Sequence, residues 1–392
     1  MDAKKDITVP LSQQMVNGMI LDGDKLCHHQ DRVEAWQRGE RIAPITIDMA
    51  LTRACNMRCT FCYAMLQENE VDALRGDSKR MSPRVIDRFL DDAAEVGVKG
   101  ISFVSDGEST SHPYVYDAIL RGKRNGIDMA LGTNGFLLRE DRMEEMLAAL
   151  TYLRFNFSAG EPAKYAEVMG CREEDFHRVV EKIKRSVDLK RRGGLDVTIG
   201  MQMVFMPQHR DQLMPLARLS KQLGVDYLVI KHCSDDELGS LGISYRDYRD
   251  CIPALKDAEA ESTPETAIVP KWSKLTSEGK RVYQKCRGAP FILQISGSSL
   301  VAPCGMLFHD RYKGDFHIGS IADQSFKDIV QGDRYWEVMD RLRSDKFDAQ
   351  RMCGALCLQH KVNERLYHLV EHGIPLPSVN PGDKKPVHVN FI

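Results

Sequence analysis

The chain has 392 residues, 43% hydrophobic and 28% charged, with a net charge of -2, which suits one large domain with a smaller companion and excludes the basic footprint of a nucleic-acid binder. The opening MDAKKDITVPLSQQ lacks the apolar core of a signal peptide, and no stretch approaches the roughly 18 apolar residues of a membrane span, so a cytoplasmic protein without membrane or nucleic-acid partners is expected. Eleven cysteines, an odd number in a chain far longer than disulfide-built secreted scaffolds, suggest metal ligation wherever the thiols cluster.

A polar arm covers residues 1–44. ITIDMALT, Ile45 to Thr52, then reads as a buried strand running directly into the loop RACNMRCTFCYAM. MSPRVIDRFLDDAAEVG reads as a helix with Ser82 as N-cap, Pro83 in the first helical position and Gly97 at its end. Strands follow at Gly100 to Val104, Ile127 to Gly132, Tyr152 to Ser158, Leu195 to Phe205 and Tyr227 to His232. Between them lie helices near 112–125, at Arg139 to Leu150, at EEDFHRVVEKIKRSVDLKRR and near 209–222. Six strand-helix units over residues 45–234 predict an α/β fold with a parallel sheet, whose chemistry belongs in the loops at the C-terminal strand ends. The polar residues 235–280 read as a connector with one helix inside. Residues 281–392 read as a smaller module, in which FILQISGSSLVAPC is a hairpin turning at SGSS and amphipathic helices follow near 325–345 and 358–371.

Cys55, Cys59 and Cys62 offer three thiolates from one loop, close enough to ligate a compact iron-sulfur cubane while leaving one iron free. A structural zinc wants four ligands, and nothing within twenty residues supplies the fourth. Three unrelated buried cysteines are the bland alternative. Farther on, Cys286, Cys304, Cys353 and Cys357 make a second set of four, enough to ligate a [4Fe-4S] cluster completely. A zinc site or inert buried thiols remain alternatives there.

The CxxxCxxC loop after the first strand resembles the defining motif of the radical S-adenosylmethionine (SAM) superfamily. The resemblance implies a partial (βα)6 barrel, with an open iron chelated by SAM and SAM cleavage to a 5'-deoxyadenosyl radical that abstracts a hydrogen atom from substrate. It also implies an electron donor such as flavodoxin or ferredoxin. Tyr63 matches the aromatic position near the adenine, and Asp106, Gly107 and Glu108 in VSDGEST match a GGE segment in which an acceptor meets the SAM ammonium. Asp106 stands where that segment usually has Gly. Thr133 and Asn134 in GTNG, Ser158 in NFSAG and Gln202 in GMQMVF fall at strand ends that contact SAM in relatives. The second cysteine set resembles the SPASM and Twitch auxiliary-cluster domains, with too few cysteines for two clusters, so a smaller C-terminal α+β domain with one auxiliary [4Fe-4S] cluster is implied.

These resemblances span residues from about 45 to 360. They lead to a radical SAM oxidoreductase or epimerase acting on a small polar substrate of carbohydrate, aminocyclitol or nucleotide-sugar type. Cys233, in IKHCSDD at the end of the sixth strand, is the candidate hydrogen-atom donor for epimerisation, against a plain packing role. A maturase that crosslinks or epimerises a ribosomal peptide is the rival, although such maturases commonly carry a longer N-terminal recognition domain. A non-catalytic iron-sulfur redox or scaffold protein is the reading from outside enzymes.

Overall fold

The computed structural model describes residues 15–67, 80–354, 357–380 and 382–392; the first part of the expected polar arm lies outside them. Ten strands form one sheet: β1 (Thr46–Met49), β2 (Gly100–Phe103), β3 (Asp128–Thr133), β4 (Leu150–Asn156), β5 (Thr198–Phe205), β6 (Tyr227–His232), β7 (Ala267–Pro270), β8 (Ile292–Ile295), β9 (Leu300–Ala302) and β10 (Gly319–Ser320). Their order is β10-β9-β8-β1-β2-β3-β4-β5-β6-β7. All pairings from β8 through β1 to β7 are parallel, whereas β9 and β10 add antiparallel. This is a partial barrel of parallel strands with helices outside, carrying the SGSS hairpin on one edge.

Two joins were not visible in the sequence. β7 lies in the stretch read as a connector, and β8, the first arm of the hairpin, pairs Thr46 to Ile292 and Met49 to Ile295 along β1. The small module therefore shares the barrel's sheet. Local signals elsewhere did their expected work. Ser82 accepts from Val85 N at 3.4 Å, Pro83 starts the helix Pro83–Val96, and Gly97 ends it at φ 91°. The helix expected near 325–345 is broken at Gly332 into Phe326–Gln331 and Asp333–Arg343. A helix not anticipated, Pro162–Met169, follows β4 and ends at Gly170 with φ 61°.

Strand periodicity divides the interior from the outer core. Tyr152, Arg154 and Asn156 on β4, Tyr227, Val229 and Lys231 on β6, and Thr46 and Asp48 on β1 line the lumen. The intervening Leu153, Phe155, Leu228, Ile230, Ile47 and Met49 pack into the large apolar core beneath the helices. The C-terminal segment stops the N-terminal end of the barrel. Phe391 packs edge-on against Tyr152 at 4.9 Å, Thr46 Oγ1 donates to the Asn390 carbonyl at 2.8 Å, and Thr198 Oγ1 lies 2.6 Å from His388 Nε2. Access to the lumen is thus left to the other end, where the cysteine loops stand.

Candidate active site

The first cysteine loop leaves β1 and is seated on the unanticipated helix. Arg58 N donates to the Met169 carbonyl at 3.2 Å, Thr60 N donates to the Val168 carbonyl at 3.0 Å, and Cys59 Sγ lies 4.0 Å from Met169 Sδ. Only a glycine tolerates this contact, because a Cβ on Gly170 would stand 2.1 Å from the Arg58 carbonyl oxygen. The three thiols are brought together. Burial first, then Cys62, Cys55 and Cys171, pushes Cys59 well above the usual thiol range, and burial followed by Glu108 pushes Cys55 up to about 12.

The segment after β2 braces that loop. Glu108 N donates to the Ala54 carbonyl at 2.8 Å, and a Cβ on Gly107, whose φ is 87°, would meet the Thr52 carbonyl oxygen at 2.2 Å. The Glu108 carboxylate accepts from Thr110 N, Thr110 Oγ1 and Thr133 Oγ1 on one oxygen and from Asn134 N on the other. The expected acceptor for an ammonium is therefore already engaged by four donors, and it joins the β2 and β3 loops. Asn134 in turn donates to Asn56 Oδ1 at 2.9 Å, inside the cysteine loop. Asp106 departs further from the expected role. Its carboxylate accepts from Ser296 Oγ at 2.8 Å and Gly297 N at 2.9 Å in the β8-β9 turn, with Arg53 Nε at 3.6 Å. It ties the small module to the barrel.

Tyr63, Gly107, Glu108 and Gln202 line the cavity at the barrel mouth, whereas Asp106, Thr133, Asn134 and Ser158 do not. Ser158 Oγ accepts from Val204 N at 3.1 Å, which holds β4 against β5. Gln202 Nε2 donates to Asn156 Oδ1 at 2.8 Å, and both side chains face the cavity. Cys233 is 0% exposed and outside the lining, with its Sγ 3.9 Å from the Phe61 carbonyl and 3.7 Å from that of Ser234. Its neighbours Lys231, His232 and Ser234 face the cavity instead. That placement sets the thiol behind the cavity wall, against the first cysteine loop.

The thiols of the second set act on one another electrostatically. Burial, then Cys357, pushes Cys286 up to about 11, and the same causes raise Cys304 and Cys353, each of which also senses Cys286. Cations support the backbone at this set. Arg281 donates to the carbonyls of Cys353 at 3.1 Å and Gly354 at 3.0 Å, and Lys274 Nζ to that of Cys357 at 2.6 Å. Among the described residues no three Cys, His, Asp or Glu side chains are grouped as a single metal ion requires. Thiols that repel one another as thiolates fit an iron-sulfur cluster at each set, with cations against the backbone of the second. Cys304 and Cys357 line the same cavity as Tyr63.

That cavity encloses about 1280 Å³ including its open mouth, and its walls carry Asp48, Arg154, Lys231, His232, Lys271 and Lys274. Of these, Lys231 and His232 in IKHCSDD read from sequence as facing the mouth, with Lys231 an anchor for a carboxylate or phosphate or else a solvated charge; Asp48, Arg154, Lys271 and Lys274 were missed, although a charged residue within otherwise apolar strands, as in ITIDMAL and YLRFNF, was a readable signal. Burial lowers Lys231 to about 7 and raises Asp48 to about 6. His232 is lowered to about 3 by burial and then by Lys274, and both of its ring nitrogens lack partners, so it presents a neutral imidazole to the cavity.

A parallel barrel with CxxxCxxC at its mouth, and Cys304 and Cys357 of a second cysteine set on the cavity wall, has the features of a radical SAM domain with an auxiliary-cluster module. The sequence pattern of the Radical SAM superfamily matches residues 49–219, and the SPASM iron-sulfur cluster-binding domain matches residues 286–357. The chain carries a radical SAM domain and a C-terminal SPASM domain, so its cofactors are a SAM-binding [4Fe-4S] cluster, SAM and an auxiliary iron-sulfur cluster. It is 24% identical over 302 residues to the tungsten-containing aldehyde ferredoxin oxidoreductase cofactor-modifying protein of Pyrococcus furiosus, covering 73% of this chain and 81% of that one. A probable GTP 3',8-cyclase of Saccharolobus solfataricus is 26% identical over 200 residues, 51% of this chain and 60% of the relative. Among solved structures, Streptococcus suis SuiB bound to S-adenosylmethionine aligns with a TM-score of 0.59 at 16% identity, over 80% of this chain and 72% of SuiB. Native anSMEcpe with bound AdoMet aligns at 0.55 and 16%, over 81% and 91%. At those identities the structural likeness concerns the fold. No helix of the described residues is long and apolar enough to cross a membrane.

Proposed function

We propose that this radical SAM enzyme oxidises or epimerises a small polar metabolite of carbohydrate, aminocyclitol or nucleotide-sugar type within the barrel lumen. The observation that carries the reading is one cavity lined by Cys304 and Cys357 of the second set and by Tyr63, the neighbour of Cys62 in the first, and walled by charged and hydrogen-bonding side chains. A substrate with many hydroxyl or anionic groups satisfies such walls, whereas an apolar side chain leaves them unpaired. Cys55, Cys59 and Cys62 would hold the SAM-binding cluster, and Cys286, Cys304, Cys353 and Cys357 the auxiliary one. When bound, these groups supply hydrogen-atom abstraction at the mouth and a one-electron acceptor on the facing wall.

The chain's own residues do the positioning. Tyr63, Gly107 and the Asn156–Gln202 pair supply the lining next to the first cysteine loop, and Glu108, through Thr133 and Asn134, keeps that loop rigid. His232 is available to hydrogen-bond a substrate hydroxyl on the wall formed by β6. The P. furiosus relative, named for modifying a cofactor, is compatible with a small-molecule substrate. A peptide substrate is the second reading, because SuiB has been solved bound to a precursor peptide.

The test is 5'-deoxyadenosine formation by anaerobically reconstituted, reduced protein, offered pooled sugars, aminocyclitols and nucleotide sugars beside pooled peptides. Stimulation by a metabolite pool is expected. Stimulation by peptides alone would move the assignment to a maturase, and no SAM cleavage under any reducing condition would revive the non-catalytic reading.

A further inference from the structure

The interior of a small barrel is ordinarily filled by branched apolar side chains. Here the layer below the mouth holds four cations, Arg154 on β4, Lys231 on β6, and Lys271 and Lys274 just after β7. Arg154, Lys271 and Lys274 also line a second chamber beneath, where Lys25 and Lys361 join them. The carboxylates acting on these groups are Asp48 and Asp22. Asp22 is already engaged, accepting from Ser273 N at 2.9 Å and from Ser273 Oγ. Two further carboxylates line the cavity but are turned to their own loops: Glu108 has its four donors, and Asp235 accepts from Asp236 N and Leu241 N. Asp48 is thus left to face the cations, and Arg154 Nε, fully buried, has no hydrogen-bond partner.

Buried cations in excess of buried anions are costly, so such lysines either give up their protons, the direction in which burial moves Lys231 and Lys271, or keep them by taking an anion. Lys274 has a local role, since its ammonium donates to the Cys357 carbonyl beside the second cysteine set. The Arg154 guanidinium rests over the Tyr152 ring at 5.4 Å, and among the described residues neither it nor Lys231 or Lys271 makes a side-chain hydrogen bond or ion pair. We infer that they form an anion site on the lumen floor for a phosphate or diphosphate group carried by the substrate. A guanidinium fork with two ammonium groups matches several oxygens carrying more than one charge better than it matches a lone carboxylate. An anion seated there leaves the rest of the substrate extending toward Tyr63 and the first cysteine loop, with His232 alongside. This inference rests on the radical SAM reading of the same cavity and narrows its substrate to a phosphorylated small molecule.

The probe is sodium pyrophosphate, titrated calorimetrically into the anaerobically reconstituted protein at low salt. Wild type is expected to bind it, with affinity falling as salt rises. Lys231→Met and Lys271→Met are expected to weaken binding at least tenfold, while Lys285→Met, which removes a surface lysine paired with Asp345, leaves it unchanged. Methionine has nearly the shape of lysine and removes a buried charge, so both floor variants should fold, which a melting curve checks. Arg154→Lys, which retains the charge, gives a second arm expected to weaken binding less than either. Displacement of pyrophosphate by a hexose phosphate or by a nucleoside diphosphate sugar then separates the two sources of the group. Lack of wild-type binding, equal binding by both Met variants, or displacement by an acidic peptide alone would overturn the inference. Absence of SAM cleavage would refute the enzyme reading but not a positive titration, and SAM cleavage without pyrophosphate binding would refute the anion site alone.

Discussion

Replacing Asp106 by alanine separates a structural clamp from a SAM ligand. The carboxylate is 1% exposed and receives two good hydrogen bonds, from Ser296 Oγ and Gly297 N, across 190 and 191 positions of sequence. Hydrogen bonds to a charged acceptor contribute about 1.5–3 kcal/mol each, and their loss strands a buried N–H. Arg53 at 3.6 Å is 27% exposed and adds little. Burial raises the Asp106 pKa, so part of the gain is offset by the cost of keeping the charge. Asp106→Ala should therefore lose about 2–4 kcal/mol, and Asp106→Asn, which keeps an acceptor for one donor, about half as much. Urea unfolding of the reconstituted protein measures the loss, and equilibrium dialysis measures SAM affinity. Loss of less than about 1 kcal/mol together with a tenfold weaker SAM affinity would refute the clamp.

Gly107→Ala combines positive φ with a Cβ 2.2 Å from the Thr52 carbonyl oxygen; it should cost about 3 kcal/mol or more and sharply lower soluble yield, read by melting temperature. Lys231 has a pKa near 7 in the fold against 10.5 unfolded, so its ammonium destabilises the anion-free protein below pH 7 and the penalty is relieved as pH rises from 7 toward 10.5. Lys231→Met should remove this share of the rise, at most about 1.4 kcal/mol per pH unit, and parallel stability profiles for variant and wild type would contradict it. Cys233→Ala should keep turnover, and product formed in D2O should carry no solvent deuterium at the reacting carbon. One incorporated deuterium, lost in the variant, would return the thiol to the role of hydrogen donor.

Much of the architecture was legible because its signals are local. Ser82, Pro83 and Gly97 state the limits of one helix by themselves, and Tyr227–His232 reads as a strand without help from its neighbours. CxxxCxxC is legible for the same reason. What escaped depends on distant partners. A four-residue strand such as β7 has too little pattern to stand out from a polar connector, and β8 gives no sign that its neighbour is β1 rather than only β9. Asp106 looked like part of a binding segment because nothing in VSDGEST reveals the turn at Ser296 and Gly297. The lumen charges were legible one by one, in apolar strands, but only closure of the sheet brings Arg154, Lys231 and Lys271 together.

The pairing of β8 with β1 bears on how electrons and substrate move. One strand hydrogen-bonds the barrel on one side and the hairpin leading to Cys304 on the other. The first cysteine loop and Cys304 are consequently mounted on one sheet rather than on two bodies joined by a hinge. Parting them would tear a ladder in the middle of the sheet, so under the proposed oxidation the gap an electron crosses would stay the same from turnover to turnover. Gating must then fall to the loops at the mouth, and changes to those loops should alter entry and release without retuning the electronic coupling between the two centres.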